Sequence, residues 1–168
     1  MRVLGIDCGG EYTGYGVVEQ DDAGCLCHIC SGAIHLSPRE ALELRLKTIS
    51  DRLDEIIAMH HPEFVAIEDV FYAMNVKSAL KLGHVRGVAM LAAAQARLSV
   101  VAYSPLSVKS AVVGYGRAEK AQVQHMVARL LNLPAPPEPA DVADALAIAI
   151  CHLHTAATLH RQSVGAGG

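Results

Sequence analysis

Apolar positions run without a break through Val3-Leu4-Gly5-Ile6 and stop at Asp7; they run again through Phe64-Val65-Ala66-Ile67 and stop at Glu68. Short continuous apolar runs of this kind read as buried strands. Tyr12 to Val18 gives another strand after a Gly9-Gly10 turn, and residues 26–36 a third after the turn residues Asp21-Asp22-Ala23-Gly24. Three strands joined by short turns predict an antiparallel meander.

From residue 37 the period changes. Ser37-Pro38-Arg39-Glu40 carries N-cap, first-turn Pro and capping-box signals, so a helix is expected to begin there. Leu42, Leu46, Ile49, Leu53, Ile56 and Ile57 recur at three- and four-residue spacing, giving that helix one apolar face, and His60-His61-Pro62 ends it. A strand over 64–69 follows, parallel to the first if the helix is a crossover. Further helices are expected over about 75–97, from Ser104-Pro105 to Gly114, over about 118–131 and over about 140–160, with a strand at 99–103. This order, βββαβαβ and then helices, resembles the ribonuclease H-like fold: α/β, a mixed five-stranded sheet of three antiparallel and then parallel strands, helices on both faces. Residues 1–160 are expected to form a single such nuclease domain, and 161–168 a disordered Gly-rich tail.

The polar residues that interrupt the apolar pattern are mostly acids. Asp7 and Glu68 end buried strands, while Asp141 and Asp144 open the apolar stretch Ala145-Leu146-Ala147-Ile148-Ala149-Ile150. A carboxylate beside an apolar core is costly unless a positive charge meets it. Each acid alone has an innocent explanation as a turn residue or a helix-dipole partner. Four converging acids would instead describe a metal site. Asp141 and Asp144, three apart on a helix, share a face. Neighbouring strand residues face opposite ways, so Glu68 and Asp69 cannot both enter one site, and alternation alone does not choose between them. All-oxygen ligands favour Mg²⁺ or Mn²⁺ over zinc. Two such ions about 4 Å apart suit phosphodiester hydrolysis.

Charge changes the picture further. The chain has a net charge of −3, yet residues 71–130 hold eight basic residues against the single acid Glu119, a local +7 that leaves −10 elsewhere. Such asymmetry is an electrostatic footprint for a polyanion, with a solvated basic helix face as the plain alternative. The five cysteines include Cys25-Leu26-Cys27-His28-Ile29-Cys30, but no second ligand pair stands at zinc-finger spacing. Strand alternation would put Cys25 and Cys27 on one face and Cys30 on the other. Reduced thiols are expected, as is a cytoplasmic location, since neither a signal peptide nor an uninterrupted membrane-spanning run is read.

Gly5-Ile6-Asp7-Cys8-Gly9 with Thr13-Gly14-Tyr15-Gly16 resembles the start of the RuvC Holliday junction resolvases. The likeness continues through Ala66-Ile67-Glu68-Asp69-Val70-Phe71, Ser78 to Gly83, Arg86-Gly87-Val88-Ala89, Val108-Lys109, Val112 to Gly116, Ala118-Glu119-Lys120, Gln122 to Val127 and Ala140 to Ala149. It implies Asp7, Glu68, Asp141 and Asp144 as catalytic, Mg²⁺-binding acids, choosing Glu68 over Asp69. It makes Lys109 and Lys120 candidates for scissile-phosphate contact and Phe71 for stacking on a base near the crossover; Lys81 and Arg86 complete the expected DNA-binding set. It further implies paired cuts of four-way junctions in recombination and repair that leave 5′-phosphate and 3′-hydroxyl ends, a homodimer, two-metal catalysis with Mn²⁺ able to substitute, and the RuvAB branch-migration complex as partner. Gly83 and Gly87 would permit close helix approach across the dimer, or equally pack onto the sheet. The chain departs from the family's pattern at Cys8, where Pro is usual, and at Glu11, where a basic residue is common. The alternatives are a ribonuclease H-like nuclease of the YqgF type acting on RNA, against which the Lys109 to Val127 block argues, and a catalytically silent junction-binding scaffold. An actin-like ATPase would need a second subdomain that this length does not supply.

Overall fold

The computed structural model describes residues 1–69 and 76–165, without the side chains of Lys77 and residues 160–165. Among the described residues there are five strands and five helices. The strands are β1 (Arg2–Cys8), β2 (Tyr12–Gln20), β3 (Leu26–His35), β4 (Phe64–Glu68) and β5 (Ser99–Tyr103). The helices are α1 (Leu42–His60), α2 (Val76–Gln95), α3 (Pro105–Val113), α4 (Lys120–Leu130) and α5 (Ala140–Gly165). One sheet runs in the order β3-β2-β1-β4-β5. The first three strands pair antiparallel, and β4 and β5 join in parallel, as the element order predicts for a ribonuclease H-like sheet.

Strand alternation sorts the core into two layers. Leu4, Ile6, Val17, Val65 and Ile67 face Ile49, Leu53 and Ile56 of α1 and Val85, Ala89 and Ala92 of α2. Val3, Val18 and Ala66 face the opposite way, toward Leu146, Ile150 and Leu153 of α5 and the inner sides of α3 and α4. Helix α5 lies almost on the backbone of β1 and β2. A Cβ at Gly5 would overlap the Ala145 carbonyl, and one at Gly14 would overlap the Asp141 carbonyl. These glycines are needed for close approach, and they bring the start of α5 to the ends of β1 and β4. Helix α5 is by length and composition alone long and apolar enough to cross a membrane, but 61% of its apolar window over Ala140–Leu159 is buried against the rest of the fold.

Several boundaries differ from those expected. Helix α1 begins at Leu42 with Ala41 as N-cap, not at Ser37. Ser37-Pro38-Arg39-Glu40 closes a turn instead, with the Glu40 N–H donating to the Ser37 carbonyl and the Arg39 N–H to Ser37 Oγ. Ser-Pro chemistry serves a turn as well as a helix start. Helix α4 begins at Lys120, where Glu119 and Gln122 form a capping box. Helix α5 continues to Gly165, five residues past the expected end, because adding residues to a formed helix costs little. In β3 the register skips Ile29: Val18 pairs with His28 but Val17 with Cys30. This bulge turns Cys30 to the same face as Cys27, overturning the alternation expected for the cysteines.

Candidate active site

The Ile6–Ile67 pair is the last step of the parallel register between β1 and β4, so Asp7 and Glu68 follow it as neighbours on adjacent strands. Asp7 shares a face with Gly5, and Glu68 with Ala66, the face on which α5 packs. Asp69 therefore points the other way. Its carboxylate meets Arg86 Nη2 at 3.5 Å, and its N–H donates to the Tyr103 carbonyl. The choice that alternation left open is thus decided by which face α5 covers.

Asp7, Glu68, Asp144, Lys109 and Lys120 line one pocket of about 290 Å³. Its apolar wall is Pro105, Val108, Val123, Ala147 and Ile148. Ser104 caps α3 by accepting from the Ser107 N–H, which sets the helix that delivers Lys109. Glu119 and Gln122 cap α4 and place Lys120 in its first turn. Lys120 Nζ lies 2.6 Å from Asp144 Oδ2. Asp141 stands at the edge of this cluster, its Oδ1 close to Gly9 in the β1–β2 turn. That turn is tied down by Arg45, whose guanidinium donates to the Gly10 carbonyl, a role the helical pattern of α1 did not signal.

The electrostatics record the crowding. Burial raises Asp7 from 3.8 to about 7, with repulsion from Asp144, Glu68 and Asp141 adding and Lys120 opposing. Glu68 is also raised, chiefly by burial and then by Asp144, while Lys120 and Lys109 pull it back. Lys120 is raised by its bond to Asp144. A cluster in which acids hold one another's protons is what a divalent cation would relieve. The donors are all carboxylate oxygens, the set suited to a hard cation. Among the described residues no three such groups close on a common point. The structure thus holds a shared pocket and mutual repulsion rather than a closed coordination shell, and its residues fit a hard divalent ion.

The remaining expected contacts lie elsewhere. Lys81 is exposed on α2, and Arg86 is turned to Asp69, so neither lines the pocket. Phe71 lies outside the described residues. The cysteines of β3 form no metal cluster among the described residues.

The family model described as "Crossover junction endodeoxyribonuclease RuvC" matches residues 3–152. The enzyme of that name from Koribacter versatilis is 70% identical over 162 residues, covering 96% of this chain and 98% of the relative. Thermus thermophilus RuvC superposes with a TM-score of 0.85 at 37% identity, covering 94% of this chain and 96% of that one. The same protein in complex with Holliday junction substrate gives 0.87 at 34% identity, over the same shares of both chains. With pocket, sheet order and sequence in agreement along nearly its whole length, the chain belongs to the RuvC family of crossover junction endodeoxyribonucleases.

Proposed function

We infer that this chain is a divalent-metal-dependent endonuclease that resolves four-way DNA junctions, acting in recombination and repair. The observation that carries the inference is the single pocket in which Asp7, Glu68 and Asp144 face Lys109 and Lys120, in a member of this family. The junction as substrate is supported by the 34%-identical Thermus thermophilus relative, whose structure is a complex with Holliday junction.

Asp7, Glu68, Asp141 and Asp144 would hold the metal, which we take to be Mg²⁺, two ions per subunit, with Mn²⁺ able to substitute. Bound there, the ions supply Lewis-acid polarisation of the phosphodiester and of the attacking water. The chain's own residues do the rest. Lys109 and Lys120 enter from α3 and α4 on the side opposite β1 and β4, where an ammonium offsets charge gathering on the phosphate oxygens. The apolar wall limits water around them. Glu68 and Asp144 each stand near a lysine, so a phosphate entering the pocket meets both signs of charge in fixed places. Cleavage is expected to leave 5′-phosphate and 3′-hydroxyl ends. Lys81, exposed on α2 outside the pocket, would contact DNA, and Phe71 would stack on a base near the crossover.

Two opposed cuts call for two subunits, and α2 offers a surface for pairing. Val76, Leu80, Met90 and Leu91 are exposed along it, and among the described residues nothing beyond the helix's own backbone lies within 4 Å of a Cβ built at Gly83 or Gly87. At this spacing they share one stripe, suited to close packing against a second copy. In the cytoplasm, the RuvAB branch-migration complex would deliver junctions to this dimer. The test is a labelled four-way junction incubated with and without Mg²⁺ beside a linear duplex of the same sequence. Paired cuts of the junction that need Mg²⁺ are expected; cutting of linear duplex at the same rate would remove structure selectivity, and no cutting would remove the activity.

A further inference from the structure

Arg86 occupies a place that its expected role as a DNA contact does not explain. Beyond Ile6–Ile67 the two parallel strands continue first with Asp7 and Glu68, then with Cys8 and Asp69. Alternation sends the first pair forward to the pocket and the second pair backward to α2. Arg86, on α2, stands behind the end of β4. Its Nη2 is 3.5 Å from Asp69 Oδ1. The side chain is only 24% exposed, Nη1 rests 3.6 Å from Met90 Sδ, and Nε is buried without a hydrogen-bond partner among the described residues. A guanidinium so enclosed has little left for a phosphate. Its planar guanidinium holds a carboxylate in a set orientation, as a flexible lysine does not. The Asp69 backbone is already held by Tyr103, so the ion pair acts on an anchored strand end.

We propose that Arg86 is a positioning residue that braces the end of β4 from behind, through Asp69, and so fixes Glu68 relative to Asp7 on the neighbouring strand. The proposal rests on the reading of those acids as the metal-binding set. It places the brace on the same helix as the exposed stripe Leu80, Met90 and Leu91, so anything that steadies α2 also steadies the acids.

The test compares wild type with Arg86→Ala, Arg86→Lys and Asp69→Asn in two measurements. In the first, junction binding is followed against salt concentration without divalent ions. A phosphate-contacting arginine contributes about one unit to the slope of log affinity against log salt, and a brace contributes nothing. In the second, single-turnover cleavage is timed in Mg²⁺ at saturating enzyme. The proposal expects an unchanged salt slope in every variant and cleavage slowed about tenfold or more in all three, since misplacing reacting groups is costly even without lost contacts. Combining Arg86→Ala with Asp69→Asn should slow it little further, as for two residues acting as one unit. A slope reduced by about one in Arg86→Ala would make Arg86 a DNA contact and overturn the proposal; so would cleavage at the wild-type rate. Failure of the wild type to cut would contradict the functional reading instead, and the salt slope would still decide whether Arg86 touches DNA.

Discussion

Lys120 Nζ approaches Asp144 Oδ2 to 2.6 Å across the mouth of the pocket, joining α4 to α5 at the point where the acids gather. Lys120 is 61% exposed, so water and salt screen the pair and its contribution to stability is below about 1 kcal/mol. Its value to catalysis is larger if its ammonium meets the phosphate. Lys120→Ala should therefore lower single-turnover cleavage by about 10²-fold, the scale of losing one electrostatic stabiliser. The melting temperature should stay nearly unchanged. A large fall in melting temperature with modest loss of cleavage would make the lysine structural.

Asp7 predicts an unusual dependence of stability on pH. Its pKa rises from 3.8 to about 7 on folding, so between those values the folded protein binds more protons than the unfolded chain. Stability then falls as pH rises from about 4 to about 7, by up to about 4 kcal/mol for a shift of this size. Chelator-treated protein should melt lower at pH 8 than at pH 5. Asp7→Asn should flatten that dependence and raise stability at pH 8, while Mg²⁺ should restore stability to the wild type by binding the folded state. Rising stability of the metal-free wild type over this range would contradict the burial of Asp7.

Two glycines give a steric test. A Cβ at Gly14 would overlap the Asp141 carbonyl, whereas one at Gly10 would meet nothing within 4 Å among the described residues. Gly14→Ala should force the start of α5 away from β2, costing about 1–3 kcal/mol as overpacking does and removing most cleavage by displacing Asp141 and Asp144. Gly10→Ala should leave melting within about 0.5 kcal/mol of wild type, as surface changes do. Equal effects from the two would mean that α5 does not lie against the sheet in this way.

The exposed stripe on α2 gives a fourth. Leu80 is 61% exposed, so Leu80→Asp removes little from the core of one chain. Sedimentation should show a dimer for wild type and a monomer for Leu80→Asp, with the melting of the monomer little altered. A wild type that sediments as a monomer at all concentrations would set the pairing proposal aside.

Much of this was legible in the sequence because its signals are local. Apolar runs ending in Asp7 and Glu68, the three-residue spacing of Asp141 and Asp144, and Ser104-Pro105 each specify their element from within a few residues. What was hidden depends on partners distant in sequence. The side of the sheet that α5 covers separates Glu68 from Asp69, and no property of the dipeptide carries it. The bulge at Ile29 is a mismatch between β2 and β3, invisible in either strand alone. Ser37-Pro38 fits a turn and a helix start equally, and Leu36, wholly buried just before it, anchors the chain where the turn forms. Arg86 reads in the sequence as one more positive charge, and its neighbour Asp69 is set by where α2 crosses the end of β4.

The central claim is that the gathered carboxylates perform the cutting without being what grips the DNA. It is tested most directly by Asp7→Asn on a labelled four-way junction, with binding measured without divalent ions and cleavage measured in Mg²⁺. The account predicts that the variant binds the junction at least as tightly as wild type, having lost a negative charge, and cuts it undetectably. A variant that cuts at the wild-type rate would contradict it.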